Sequence, residues 1–180
     1  APFTSTKSQT WSWQFARSLG TYMNDSNSEL IGYANLASEL SLTFAWNNLY
    51  TDVSLSKIMG WRASFSNTIF CFITEGSSEV FQISVKTSDQ TVGARTSHVV
   101  DTNIHISTAT FKDGRYEIWT DGVIKSATTY GPTLNTSGGV FSIGGAMTGG
   151  AATNMEVEHA HVNSQALTPS EIEVLHQAFI

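Results

Sequence analysis

The segment from residue 103 to residue 125 constrains the fold most tightly, because two Asp-Gly pairs interrupt alternating apolar and polar residues there. Asp113-Gly114 and Asp121-Gly122 both suit a two-residue hairpin loop, in which the two central residues need positive φ. Residues 115–120, between these turns, alternate as the residues of a half-buried strand do. The segment therefore predicts a three-stranded meander, and its apolar face requires a second sheet to cover it.

The same alternation recurs along the chain and predicts further strands. We place them at residues 10–15, 19–23, 40–46, 57–63, 69–75, 79–86, 96–101, 139–144 and 155–162. The polar stretches 24–29 and 47–52 predict a turn and a rim loop. Thr168-Pro-Ser-Glu171 has the spacing of a capping box, with proline at the first helical position, and predicts a C-terminal helix. The predicted fold class is all-β, a two-sheet antiparallel sandwich with a short C-terminal helix.

Composition limits the domain organisation and the class of partner. A chain of 180 residues suits one domain, so residues 1–10 are predicted to be a polar N-terminal arm and residues 11–180 the sandwich. Only 13% of the residues are charged, against about 25% in a typical protein, and hydroxyls and amides take their place. The net charge of −6 and the scattered Lys and Arg residues argue against nucleic acid. No apolar run approaches the length of a membrane span.

Several motifs resemble those of the laminin-G-like, concanavalin-A-like jelly-roll family. Residues 105–111, HISTATF, resemble the family's H-hydrophobic-A strand, and residues 114–122, GRYEIWTDG, resemble its G…L-Y-V-D-G hairpin. Residues 140–145, VFSIGG, and 157–168, VEHAHVNSQALT, are similar to its later strands. The resemblance implies a jelly roll with functional rim loops, where calcium is common in this family. Oxygen donors for calcium would be Asp52, Asp101, Asp121 and Asn154. Because no D-x-D-x-D-G run is present, we predict no cofactor, with calcium as the alternative.

Two constellations near the C-terminus bear on catalysis and metal binding. Glu156 and Glu158 are two residues apart on a predicted strand, which places them on one face, as in glycosidases of the related jelly-roll scaffold. The third carboxylate of that arrangement is missing, so we predict that the protein is not an enzyme. His159 and His161 form an H-x-H pair that suits a metal or a plain polar face, and the sequence supplies no third ligand nearby.

Aromatic and amide side chains supply the candidate binding residues. Trp11 and Trp13 share one face of the first predicted strand, where they either cover the core or dock another subunit. Asn48, Tyr50 and Asp52 lie in the predicted rim loop, and their hydrogen-bonding groups suit a sugar. A nearby strand adds Trp61, which is also a candidate core residue.

These features predict a non-enzymatic structural or attachment module, with a virion-surface protein, either a capsid decoration or a tail protein, as the leading example. Its partners would be the protein subunits of a larger assembly, a homo-oligomer included. The alternative is a lectin domain that binds cell-surface glycans, with a glycoside hydrolase as a third hypothesis. The predicted location is accordingly the virion exterior or the extracellular space. We predict no nucleic-acid partner and no membrane span.

Overall fold

The computed structural model describes residues 10–14, 23–25, 38–48, 56–64, 67–75, 80–86, 91–97, 103–129, 140–143 and 155–179. Within these ranges the chain forms twelve strands and one helix. The strands are β1 (Thr10–Gln14), β2 (Met23–Asp25), β3 (Glu39–Asn48), β4 (Ser56–Ser64), β5 (Asn67–Glu75), β6 (Val80–Lys86), β7 (Thr91–Ser97), β8 (His105–Lys112), β9 (Arg115–Thr120), β10 (Val123–Thr129), β11 (Val140–Ile143) and β12 (Met155–Asn163). The helix, α1, comprises Pro169–Phe179.

The strands form two antiparallel six-stranded sheets. Sheet I has the order β1-β12-β3-β8-β9-β10, and sheet II has the order β2-β11-β4-β5-β6-β7. The chain crosses repeatedly between the sheets, so that β12 inserts between β1 and β3. The all-β jelly-roll sandwich with a short C-terminal helix is thereby confirmed. Among the described residues, no helix has the length and apolar character that a membrane crossing requires.

The core lies on the inner face of sheet I, where alternate residues of β3 are fully buried. The buried apolar side chains of this face are Leu40, Leu42, Phe44 and Trp46 in β3, Ala109 and Phe111 in β8, Tyr116 and Ile118 in β9, and Val157, Ala160 and Val162 in β12. Phe111 and Tyr116 stack with ring centroids 4.8 Å apart. Burying each large apolar side chain contributes about 1.5–3 kcal/mol, so this layer contributes substantially to stability.

Both Asp-Gly pairs form the hairpin turns that the sequence predicts. The φ angles are 47° at Asp113 and 81° at Gly114, and 53° at Asp121 and 72° at Gly122. Positive φ at both central residues matches the right-handed twist of the flanking strands. Gly122 also faces α1, because a Cβ atom there would come within 2.5 Å of the Glu173 carboxylate.

The outer face of sheet I is also covered, by the chain that follows β12. Polar side chains that alternation directs away from the core are nevertheless buried: Ser41, Thr43, Thr108 and Thr110. At its far end, α1 places Phe179 against the rings of His159 and His161, with centroids 4.8 and 5.5 Å apart. We name residues 164–168, between β12 and α1, the connector.

Strand boundaries differ from the predicted ones in three places. Asn24 and Asp25, predicted to be in a turn, belong to β2 because β11 pairs with them. Asn47 and Asn48, predicted to begin a rim loop, extend β3 because Glu156 and Met155 lie opposite them. Of the strand predicted at residues 96–101, Thr96 and Ser97 belong to β7, which begins at Thr91 and pairs along its whole length with β6, and residues 98–101 lie outside the described part of the chain.

The two glutamates of β12 that the sequence offers as candidate carboxylates lie beside an irregularity in the strand. The register with β3 shifts between Val157 and His159, so that Glu158 is the extra residue of a β-bulge. The bulge interrupts the two-residue alternation between Val157 and His159, and the shared face of Glu156 and Glu158 stays a prediction. The buried positions of β12 are accordingly Val157, Ala160 and then Val162.

Candidate functional site

The β8–β9 hairpin and the connector enclose a depression on the outer face of sheet I, with a volume of about 260 Å³. Its lining residues are Thr110, Lys112, Arg115, Glu117, Ala166, Leu167, Thr168 and Pro169. The strand register explains the floor, since Thr110 lies directly opposite Glu117 and Lys112 lies opposite Arg115. Residues paired in this way share one face of a sheet, with Cβ atoms about 5 Å apart.

Glu117 is held in a fixed position by two donors on its own strand. The Arg115 Nε donates to Glu117 Oε1 over 2.7 Å, and the Trp119 Nε1 donates to Glu117 Oε2 over 3.0 Å. The Glu117 side chain is largely covered, whereas about half of the Arg115 side chain is exposed. Because the two donors fix the carboxylate, its remaining lone pairs point in set directions and can accept further hydrogen bonds.

The other half of the floor contributes a hydroxyl and an ammonium group. Thr110 is 5% exposed, and within the part of the chain that the structure describes its hydroxyl forms no hydrogen bond. Lys112 is well exposed, and its Nζ lies 3.9 Å from Glu39 Oε2, at the limit of an ion pair. The depression thus combines a buried hydroxyl with two cations and a carboxylate on one small surface.

The connector forms the wall of the depression and is anchored to β3 by side chains of the strand. Ser41 Oγ donates to the carbonyl oxygen of Gln165 over 2.7 Å and accepts from the Leu167 backbone N–H over 2.8 Å. Glu39 Oε2 accepts from the Ala166 backbone N–H over 3.3 Å. A serine at this outward position therefore supplies the backbone partners that an irregular covering segment needs.

The predicted capping box closes the wall and starts α1. The Thr168 backbone N–H and its hydroxyl both donate to Glu171 Oε2, over 2.7 and 2.8 Å. The Glu171 N–H in turn donates to the Thr168 hydroxyl over 3.3 Å. These bonds favour the ionised carboxylate, the backbone bond most strongly, and lower the pKa of Glu171.

Four of the six residues predicted as a binding site lie on described strands, and the binding role of all six stays a prediction. Trp11 and Trp13 are in β1, where the register places Val162 and Ala160 of β12 opposite them. Trp61 is in sheet II, opposite the buried Phe141. Of the other three predicted residues, Tyr50 and Asp52 lie outside the described part of the chain, and Asn48 is the last residue of β3.

The predicted metal candidates have other roles where the structure describes them. His159 and His161 do share a face, and both contact Phe179; burial, with His159 adding to it, lowers the pKa of His161. Asp121 accepts from the Ile106 N–H over 3.1 Å and pairs with His105 Nδ1 at 2.7 Å. No group of three or more His, Cys, Asp or Glu residues that could hold a metal occurs among the described residues. Asp101 and Asn154 lie outside them.

Sequence reasoning recognised that Arg115, Glu117 and Trp119 share a strand face but did not recognise a site there. The missing information was the position of the connector, which lies about fifty residues later in the chain and supplies Thr168 and Pro169. The only signal in the sequence was the placement of two cations on either side of a tight turn, in a chain with a net charge of −6.

Comparison with known proteins identifies the fold. No family model matches the sequence, and no curated protein matches it. Among solved structures, the CBM40 module of the Ruminococcus gnavus IT-sialidase, bound to α2,6 sialyllactose, superposes with a TM-score of 0.72 at 9% identity, covering 92% of this chain and 98% of that one.

This chain matches only part of two other solved structures. The binding domain of botulinum neurotoxin DC in complex with SialylT gives a TM-score of 0.64 at 8% identity, covering 99% of this chain and 48% of the other. A Trypanosoma rangeli sialidase gives a TM-score of 0.64 at 13% identity, covering 91% of this chain and 27% of the other. This chain thus spans about half the length of the neurotoxin binding domains. Identities this low establish a shared fold and leave chemistry to the residues themselves.

Proposed function

We propose that this chain is a non-enzymatic binding module that acts on a virion exterior or in the extracellular space. It holds a glycan in the depression between the β8–β9 hairpin and the connector. The observation that carries the proposal is the Glu117 carboxylate, fixed by Arg115 and Trp119 opposite a buried Thr110 hydroxyl. Similar modules of the same fold were solved with sialyllactose or SialylT bound, which supports a glycan as the ligand class.

The chemistry of the depression suits a sugar better than a hydrophobic ligand. Sugars offer many hydroxyl groups, which pair with carboxylates, hydroxyls and guanidinium groups in fixed orientation. Ala166, Leu167 and Pro169 add apolar surface on the wall, against which the C–H face of a sugar ring can pack. A pre-formed site with a few convergent polar groups is what small-ligand recognition requires.

The test is binding of the purified protein to a glycan array, followed by titration calorimetry with the best ligand. We expect the Glu117→Gln variant to lose at least tenfold in affinity, because the amide replaces one of the fixed acceptor oxygens with a donor. The Glu173→Gln variant is the matched control, since Glu173 is exposed on α1 and bonds Gln177 rather than lining the depression. Equal affinity of both variants, or no binding to any glycan at millimolar concentration, would refute the proposal.

Attachment to a larger assembly, such as a virion shell or tail, is the second candidate. β1 is the terminal strand of sheet I among the described strands, and an edge strand offers unpaired backbone groups to another chain. We propose that the chain is a laminin-G-like jelly roll. We also propose that the partner subunits, in a homo-oligomer or in an assembly of this kind, bind along that edge. Light scattering of the protein alone and sedimentation with candidate shells would test it, and a monomer that binds no shell would contradict it.

A further inference from the structure

We infer that the glycan bound in this depression carries a carboxylate, so that the ligand class is an acidic sugar. The inference rests on the proposed glycan-binding function and adds the charge of the ligand. Lys112 and Arg115 together would hold that carboxylate, while Thr110 and Glu117 would bind the hydroxyl groups of the same sugar residue.

The first argument is the pairing of two cations across the hairpin. Lys112 lies directly opposite Arg115, and like charges in that position destabilise a strand pair. Glu117 offsets the charge of Arg115 over 2.7 Å, but Glu39 lies 3.9 Å from the Lys112 ammonium, so the charge of Lys112 is the less completely offset of the two. An anion between the two cations would relieve the repulsion, and a protein with a net charge of −6 has few such places.

The second argument is the part of Arg115 that remains available. Glu117 binds the Nε of the guanidinium, and within the described residues neither Nη group forms an ion pair or a hydrogen bond. The Arg115 side chain is 54% exposed, so its two terminal nitrogens are accessible from the depression. A planar guanidinium binds a planar carboxylate through two parallel hydrogen bonds, which a lysine cannot reproduce.

The third argument is the Thr110 hydroxyl. It is nearly buried, lines the depression and forms no hydrogen bond with the described residues. A hydroxyl that lines the depression can donate a hydrogen bond to a ligand and accept one from it. Since Thr110 lies opposite Glu117, one ligand hydroxyl can bridge the two. The volume of about 260 Å³ is just below the roughly 300–1,000 Å³ of drug-sized sites and suits one sugar residue.

The experiment compares ligand pairs that differ chiefly in the acidic group. The unmodified protein is titrated with methyl β-glucuronide and methyl β-glucoside, and with sialyllactose and lactose. We expect at least one acidic member to bind ten times more tightly than its neutral partner, and the preference to fall as salt rises from 50 to 500 mM. Amide chemical shifts should change at residues 110–117 and 166–169.

Two variants then assign the contact. Arg115→Lys keeps the positive charge but removes the planar guanidinium that forms two parallel hydrogen bonds. We therefore expect this variant to bind the acidic sugar about tenfold more weakly. Lys125→Ala is the control, because Lys125 is an exposed cation of β10 outside the depression. Equal affinity for acidic and neutral sugars would overturn the inference and leave glycan binding intact. Binding of neither kind would overturn the proposed function as well.

Discussion

Replacing Ser41 by alanine should release the connector from β3. The side chain of Ser41 is 1% exposed and forms two hydrogen bonds to the connector backbone, to Gln165 and Leu167. The substitution removes one oxygen atom and changes no charge. Because the connector is the wall of the depression, the change tests both the packing of the outer face and the integrity of the site.

The magnitude follows from those two bonds. Each intramolecular hydrogen bond contributes about 0.5–1.5 kcal/mol net, so two contribute about 1–3 kcal/mol. Gln165 is exposed and Leu167 is half-buried, so water can replace part of the lost bonding. We therefore expect a loss of about 2 kcal/mol in the free energy of unfolding, or roughly 30-fold in the equilibrium constant. For a chain of this size the midpoint of thermal unfolding should fall by about 4–8 °C.

Urea unfolding of the wild type, Ser41→Ala and Thr43→Val supplies the measurement. Thr43 is on the same strand face and is equally buried, but it bonds only Thr108, at 3.0 Å, and not the connector. We expect Thr43→Val to lose about 1 kcal/mol and to keep its glycan affinity, whereas Ser41→Ala should weaken both. A smaller loss of stability in Ser41→Ala than in Thr43→Val would refute this account of the connector.

Three further predictions concern the cap, a histidine and the turns. Thr168→Ala should lower the free energy of unfolding by about 1 kcal/mol. Since the Glu171 pKa is lowered in the fold, the stabilities of wild type and variant should converge as pH falls below the ordinary carboxyl pKa. Thermal scans from pH 7 to 3 measure this convergence. His161 has a lowered pKa in the fold, so the unfolded chain binds more protons and stability should decrease as pH falls below about 6.5. His161→Gln should reduce this dependence of the unfolding free energy on pH, measured by urea titrations at several pH values. An unchanged dependence would contradict the prediction. Asp121→Ala should lower the free energy of unfolding by about 1.5–3 kcal/mol more than Asp113→Ala does. The reason is that the Asp121 carboxylate also binds the His105 ring and the Ile106 backbone N–H. Equal losses in urea unfolding would show that those bonds add nothing.

Local signals in the sequence were reliable where a short segment determines its own conformation. The Asp-Gly pairs gave the two hairpin turns because positive φ at both central residues depends on those residue types alone. Thr168 and Glu171 gave the start of α1 because a capping box is complete within four residues. Strict alternation in β3 gave its core face for the same reason.

Features that depend on a distant partner were missed. The bulge at Glu158 depends on the register between β12 and β3, which the sequence of β12 alone does not specify. Asn47 and Asn48 read as loop residues but form strand pairs because β12 lies opposite them. For Asn47 and Asn48, the pairing strand satisfies backbone groups that local propensity would have left to a turn.

The amino-acid sequence by itself determined the fold class, the two hairpin turns and the helix cap, because each follows from the conformational preference of a few adjacent residues. Only the tertiary structure decided that the outer face of β3 is buried and that Arg115 and Glu117 face the connector. The physical reason is that covering a polar strand face requires backbone donors and acceptors from a remote segment. The site exists only where that segment meets the hairpin.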